Sequence, residues 1–165
     1  MATLLDDAFA HHTWANERLI DSCTALSREQ LRTPVPGTYG SIMETLNHLV
    51  GTDGWYLTFF RDRPNPITEE TAHTLDEFRA ANAANGRLWT EILASGLDGE
   101  TDMPERGDGW IYHAPTAFRL AQVVHHGTDH RSQICTALTS LGIEPPEIDV
   151  WAYGEATGRA RPERV

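Results

Sequence analysis

The sequence predicts an all-α protein, a four-helix bundle, and three observations carry that expectation. Four stretches of about 20 residues repeat apolar side chains at helical rather than alternating intervals. Two of them open on a Ser/Thr-x-x-Glu signature, Ser41 to Glu44 and Thr74 to Glu77, in which the hydroxyl accepts from a backbone amide and the carboxylate reaches back. Proline and glycine interrupt the chain between them, at Pro34, Pro36 and Gly37, at Pro64 and Pro66 and at Gly96, and Pro145 and Pro146 follow the last.

The first helix is expected over Thr3–Ala25, with Leu4, Leu5, Ala8, Phe9, His12, Ala15, Leu19 and Cys23 at helical intervals. From Ser22 to Leu31 the sequence turns polar. The second helix runs from Ser41 to about Phe60 and is apolar on two sides. One arc holds Ile42, Leu46, Leu49, Val50, Leu57 and Phe60, the other His48, Thr52, Trp55 and Phe59, a pattern that fits burial between neighbours or at a subunit contact. The third spans Thr74–Ala94, with Leu75, Phe78, Ala81, Leu88, Ile92 and Leu93 turned inward. Asp98 to Pro115 is rich in Gly, Pro and acids and reads as a loop or a small hairpin containing Trp110-Ile111-Tyr112. Thr116 as N-cap and Gly142 just past the end frame the fourth helix, Thr116–Leu141. In the tail, Trp151 and Tyr153 are expected to pack back on the bundle, with fraying beyond Gly154. The whole chain, 1–165, reads as a single domain.

Composition limits the partners. With 13 Lys plus Arg against 24 Asp plus Glu, the formal charge is -11. Such a chain repels phosphate backbones and anionic lipid, and no basic run offsets this, so neither nucleic acid nor membrane is expected. No window approaches the ~18 consecutive apolar residues of a membrane span. The first ten residues carry two acids and no basic segment, unlike a secretory signal. The two cysteines, Cys23 and Cys135, form no C-x-x-C pattern, which suits a reducing cytoplasm.

The chemistry concentrates in Gln122 to Gln133, Q-V-V-H-H-G-T-D-H-R-S-Q. His126 and His130 stand four residues apart, so their side chains stack on one helical face about one turn apart. They border the arc of Leu120, Val123, Ile134, Leu138 and Leu141, whereas His125 falls on the polar side with Asp129 and Ser132. Two such imidazoles can hold an ion, or they can be core residues bonded to carbonyls; this helix alone leaves both open. A catalytic zinc-type site needs a third protein ligand and keeps an open position. His48, on a facing helix, supplies the third. Asp53 either orients an imidazole or pairs with an arginine. Trp14 and Asn16 line a pocket or pack as a buried indole and a surface amide, and Trp55 joins them as a pocket position. His73 and His113 read as surface residues.

Three pieces resemble the DinB/YfiT-like superfamily, the damage-inducible DinB proteins: H-x-x-W-A-N-x-x-L at His11 to Leu19, T-L-N-H-L-V-G-T-D-x-W at Thr45 to Trp55, and H-G-T-D-H-R-S-Q at His126 to Gln133. The resemblance implies an up-down-down-up bundle, commonly a homodimer, with a divalent metal, zinc or nickel above others, held by His48, His126 and His130. Gln122 stands where family members often have another histidine, and Ser132 where they often have glycine. The resemblance further implies a small-molecule enzyme of the thiol S-transferase or hydrolase type, in which the metal activates a thiol or water. A low-molecular-weight thiol would be the co-substrate, with Trp14, Trp55 and Tyr56 shaping an acceptor pocket and Asp53 near enough to act as a base. The alternative is a metal-binding stress-response protein without turnover.

Overall fold

The computed structural model describes residues 5–163; Thr3 and Leu4 of the expected first helix lie outside them. Among these residues six helices and one small hairpin follow in the order α1 (Asp6–Cys23), α2 (Arg28–Arg32), α3 (Ile42–Leu57), α4 (Leu75–Ala94), β1 (Glu105–Gly107), β2 (Trp110–Tyr112), α5 (Thr116–Ser140) and α6 (Val150–Thr157). The four long helices are those expected from the periodicity, and the protein is an all-α helical bundle. α1 packs on α4 and α5, and α3 packs on the same two.

The helix starts follow from local chemistry. Ser41 and Thr74 each accept from the amide three residues on while Glu44 and Glu77 return the bond, at 2.7 Å in both cases. A third capping box, Ser27 with Gln30, starts the five-residue α2 inside the polar stretch where the sequence predicts no helix. Thr116 is the first residue of α5 rather than its cap; Pro115 precedes it, and the Thr116 hydroxyl donates to the Thr101 carbonyl at 3.1 Å. At the other end Gly142 takes φ +74°, where a left-handed residue lets the Gly142 and Ile143 amides return to the Thr139 and Leu138 carbonyls.

Burial divides the interior into two apolar halves. One contains Leu19, Ile20, Leu46, Leu49, Phe78, Ile134 and Leu138, the other Phe9, Tyr56, Leu57, Trp89, Ile92, Leu120 and Val123. Residue numbers rise from the second half to the first along α1 and α5, and from the first to the second along α3 and α4. The long helices therefore run up, down, down and up in chain order. Between the halves lies a buried polar layer of His12, Asn16, Asp53, Asn82, Asn85 and Arg131.

The tail packs in part as expected. Tyr153 is buried and meets Trp14 edge-on at 5.7 Å, but Trp151 is 75% exposed, because on the short α6 only one face meets α1. α6 continues past Gly154 to Thr157, and beyond it Arg159 forms a two-pronged pair with Asp7.

Candidate metal centre

His126 and His130 project from adjacent turns of α5 toward His48 on α3. The ligand atoms of the three rings all lie within 4.8 Å of one another, so the cluster could hold one metal ion. His126 Nε2 and His48 Nε2 are 3.1 Å apart. Two nitrogens each ~2.0–2.1 Å from a tetrahedral ion lie roughly 3.3–3.4 Å apart, close to that separation. Three imidazole donors fit zinc, nickel, copper or iron, so these residues suit a divalent ion.

The electrostatics favour the same use. Burial, followed by the neighbouring His130 and His48 rings, pushes His126 down to about 4. Burial, then His48, lowers His130 as well. Both shifts favour the neutral ring, the form that offers a lone pair to a metal.

Groups around the triad restrain its rings. The outer nitrogen of His48, Nδ1, is 2.5 Å from Glu69 Oε1, and that of His130, also Nδ1, is 3.2 Å from Gln133 Oε1. Tyr39 stacks on His48 with ring centres 4.1 Å apart and meets His130 edge-on. Its backbone amide donates to Gln133 Oε1 at 2.9 Å and its hydroxyl to Glu69 Oε1 at 3.3 Å. Glu69 also borders a cleft of about 440 Å³ shared with Ser41, Glu44, Asn47, Glu70 and His73.

The family model described as DinB family matches residues 1–164. The chain belongs to the DinB family. No curated protein matches it.

In this DinB chain the remaining residues singled out from sequence fall at different distances from the triad. Asp53 is buried, with Oδ1 accepting from Trp89 Nε1 at 2.9 Å and facing His12 Nε2 at 3.3 Å. It therefore meets an imidazole, that of His12 and not of the triad, and Arg131 lies on the other side of the same ring, NH1 3.1 Å from Nδ1. Since a guanidinium only donates, His12 Nδ1 accepts and the ring's proton sits on Nε2, toward Asp53. Asn16 belongs to the same layer: its Oδ1 accepts from Arg131 at 3.0 Å and its Nδ2 donates to Asn82. Trp55 reaches the triad through Tyr56, whose ring stands 6.3 Å from His126. Trp14 packs instead with His11, Tyr153 and Arg18, on the α6 side. His125 is exposed and faces Asp129, and His113 is exposed beside Asp102.

Sequence reasoning did not single out Tyr39, Glu69, Arg131 or Gln133 for a role at the site. Tyr39 and Glu69 sit on loops, where no periodicity assigns a direction. Arg131 and Gln133 lie inside the quoted motif, and their positions one and three residues after His130 were the available signal.

Proposed function

We propose that this DinB protein is a divalent-metal-dependent enzyme of the thiol S-transferase or hydrolase type, with His48, His126 and His130 as the metal ligands. The observation that carries the reading is the donor count. Among the described residues the cluster has three members, and a three-histidine site on a four-coordinate ion retains a position for a reacting molecule. When bound, the ion would supply Lewis acidity that lowers the pKa of a thiol or water near neutral pH. The chain's own residues would orient and shield. Gln133 and Glu69 hold two of the rings from outside, Tyr39 covers His48, and Tyr56 with Trp55 provides an apolar flank beside His126. The cleft bordered by Glu69 has none of the three histidines in its lining and meets the site through Glu69 alone. Asp53 is engaged by Trp89 and His12 and is better suited to holding the bundle together than to taking a substrate proton. The family resemblance and the unpaired cysteines lead us to include a cytoplasmic homodimer in the proposal.

The test begins with untagged protein, its metal content measured directly. Metal-loaded and stripped samples are then incubated with low-molecular-weight thiols and monochlorobimane, and with activated esters in place of the bimane. Turnover that requires the metal and is lost in His126→Ala is expected. Equal rates for both samples and the variant in both assays would reject the enzymatic reading, and a bound ion without turnover would leave a metal-binding protein.

A further inference from the structure

We infer that Glu69 is a positioning residue for the metal: it fixes the His48 ring so that Nε2, not Nδ1, presents its lone pair to the centre of the triad. This rests on the reading of the three histidines as metal ligands.

An ionised carboxylate has no proton to give, so the 2.5 Å contact between Glu69 Oε1 and His48 Nδ1 requires the proton to be on Nδ1. The opposite nitrogen, Nε2, is the one 3.1 Å from His126 Nε2. The carboxylate thus selects both the tautomer and the face of the ring. Tyr39 reinforces the choice, since it stacks on His48 and donates to the same Glu69 oxygen. Through its backbone amide it also holds Gln133, the outer partner of His130. Two of the three rings are therefore gripped from behind by groups tied to one another, an arrangement that outer partners of metal-bound histidines characteristically adopt.

A purely structural role accounts poorly for this contact. The Glu69 side chain is 59% exposed and lies on the loop between α3 and α4, outside both apolar halves of the core. An exposed pair of this kind contributes little to folding. Its geometric consequence falls on His48.

The experiment measures Zn²⁺ and Co²⁺ affinity by competition with a chromophoric chelator, the visible spectrum of the Co²⁺ form, and thermal unfolding of metal-free protein. Glu69→Ala is expected to weaken both ions by about 10- to 100-fold and to alter the Co²⁺ bands, with metal-free unfolding unchanged. Glu69→Gln should recover most of the affinity, because an amide oxygen still accepts from Nδ1–H. Glu70→Ala removes an equal charge next door and should bind like the parent. If Glu69→Ala binds as tightly as the parent while His48→Ala binds nothing, or if Glu70→Ala weakens binding equally, the inference is overturned and the metal centre stands. If the parent protein binds neither ion, the metal reading fails and the inference with it.

Discussion

Gly127 lies between the two α5 histidines, and replacing it by alanine tests how the triad is aimed. In a helix interior this change ordinarily stabilises by about 1 kcal/mol, because glycine is the poorer helix former. Here a Cβ would sit 2.5 Å from His12 Nδ1 and 2.8 Å from Arg131 NH1, and closest of all to His12 Cε1. Those separations are about 1 Å short of the ~3.5–4.0 Å of an ordinary carbon contact. His12 is 1% exposed and bound into the buried layer, so its ring cannot swing clear. Overpacking of this kind costs up to about 3 kcal/mol, which leaves a net loss near 2 kcal/mol once the helix gain is subtracted. Urea unfolding of metal-free protein reads the change, and a Zn²⁺ titration reads the accompanying displacement of His126 and His130. The decisive comparison is a double-mutant cycle with His12→Ala. Without the imidazole the two shortest contacts are gone and Arg131 NH1, the tip of a flexible side chain, gains room to move aside, so Gly127→Ala should turn stabilising by up to about 1 kcal/mol. An effect of the same sign in both backgrounds would refute the reasoning.

Three further outcomes are expected. His126 is held near 4 against an ordinary value of 6.5, so between those limits the unfolded chain binds more protons than the folded one, and metal-free stability should fall as pH falls through that window. The full shift corresponds to about 3.4 kcal/mol, but the ring is partly exposed and about 1–2 kcal/mol is the better expectation; melting curves at about pH 7 and pH 4.5 measure it, and His126→Ala should flatten the dependence. Asp53→Ala orphans the Trp89 and His12 N–H groups and strips a buried guanidinium of its counter-charge, so urea unfolding should show a loss of about 3–5 kcal/mol; a loss below about 1 kcal/mol would contradict the described network. Ser41→Ala removes the cap of α3 and should cost about 1 kcal/mol in the same assay, with no change in the far-ultraviolet spectrum.

What the sequence disclosed, and what it did not, follows the range of the interactions. Ser41-x-x-Glu44 and Thr74-x-x-Glu77 announce helix starts because both partners lie within one turn. Gly142 marks an end for the same reason. The 3.6-residue period placed His126 and His130 on a single face, but His48 could be proposed only from its helix, since nothing local fixes which helices face each other. α2 was missed although Ser27 and Gln30 have the capping-box form, because five residues are too few for a period to emerge. The buried layer was hidden for a different reason. Asn16 stays open between a pocket and a surface position in the sequence, and nothing local marks Asn82, Asn85 or Arg131 as buried until partners from other helices are in place. Glu69 and Tyr39 depend on the paths of two loops, which no helical pattern encodes.

The order H-G-x-x-H-R in α5 acquires a reason once the two faces of that helix are compared. His126 and His130 form one pair four residues apart, and Gly127 and Arg131 form another, rotated by about 100°. The first pair looks toward His48 on α3; the second meets His12 and Asn16 on α1. Turning α5 about its axis would detach Arg131 from both partners and drive a helix face other than Gly127 against the His12 ring. Burial lowers Arg131 only to about 10, so the group that would be stranded remains a cation. A buried ionic layer is a weak source of stability compared with apolar packing of the same volume, but it strongly disfavours misalignment, because every wrong rotation leaves a charge unpaired. The layer therefore acts on the triad through orientation: the residues that follow each histidine set the angle at which that histidine faces α3.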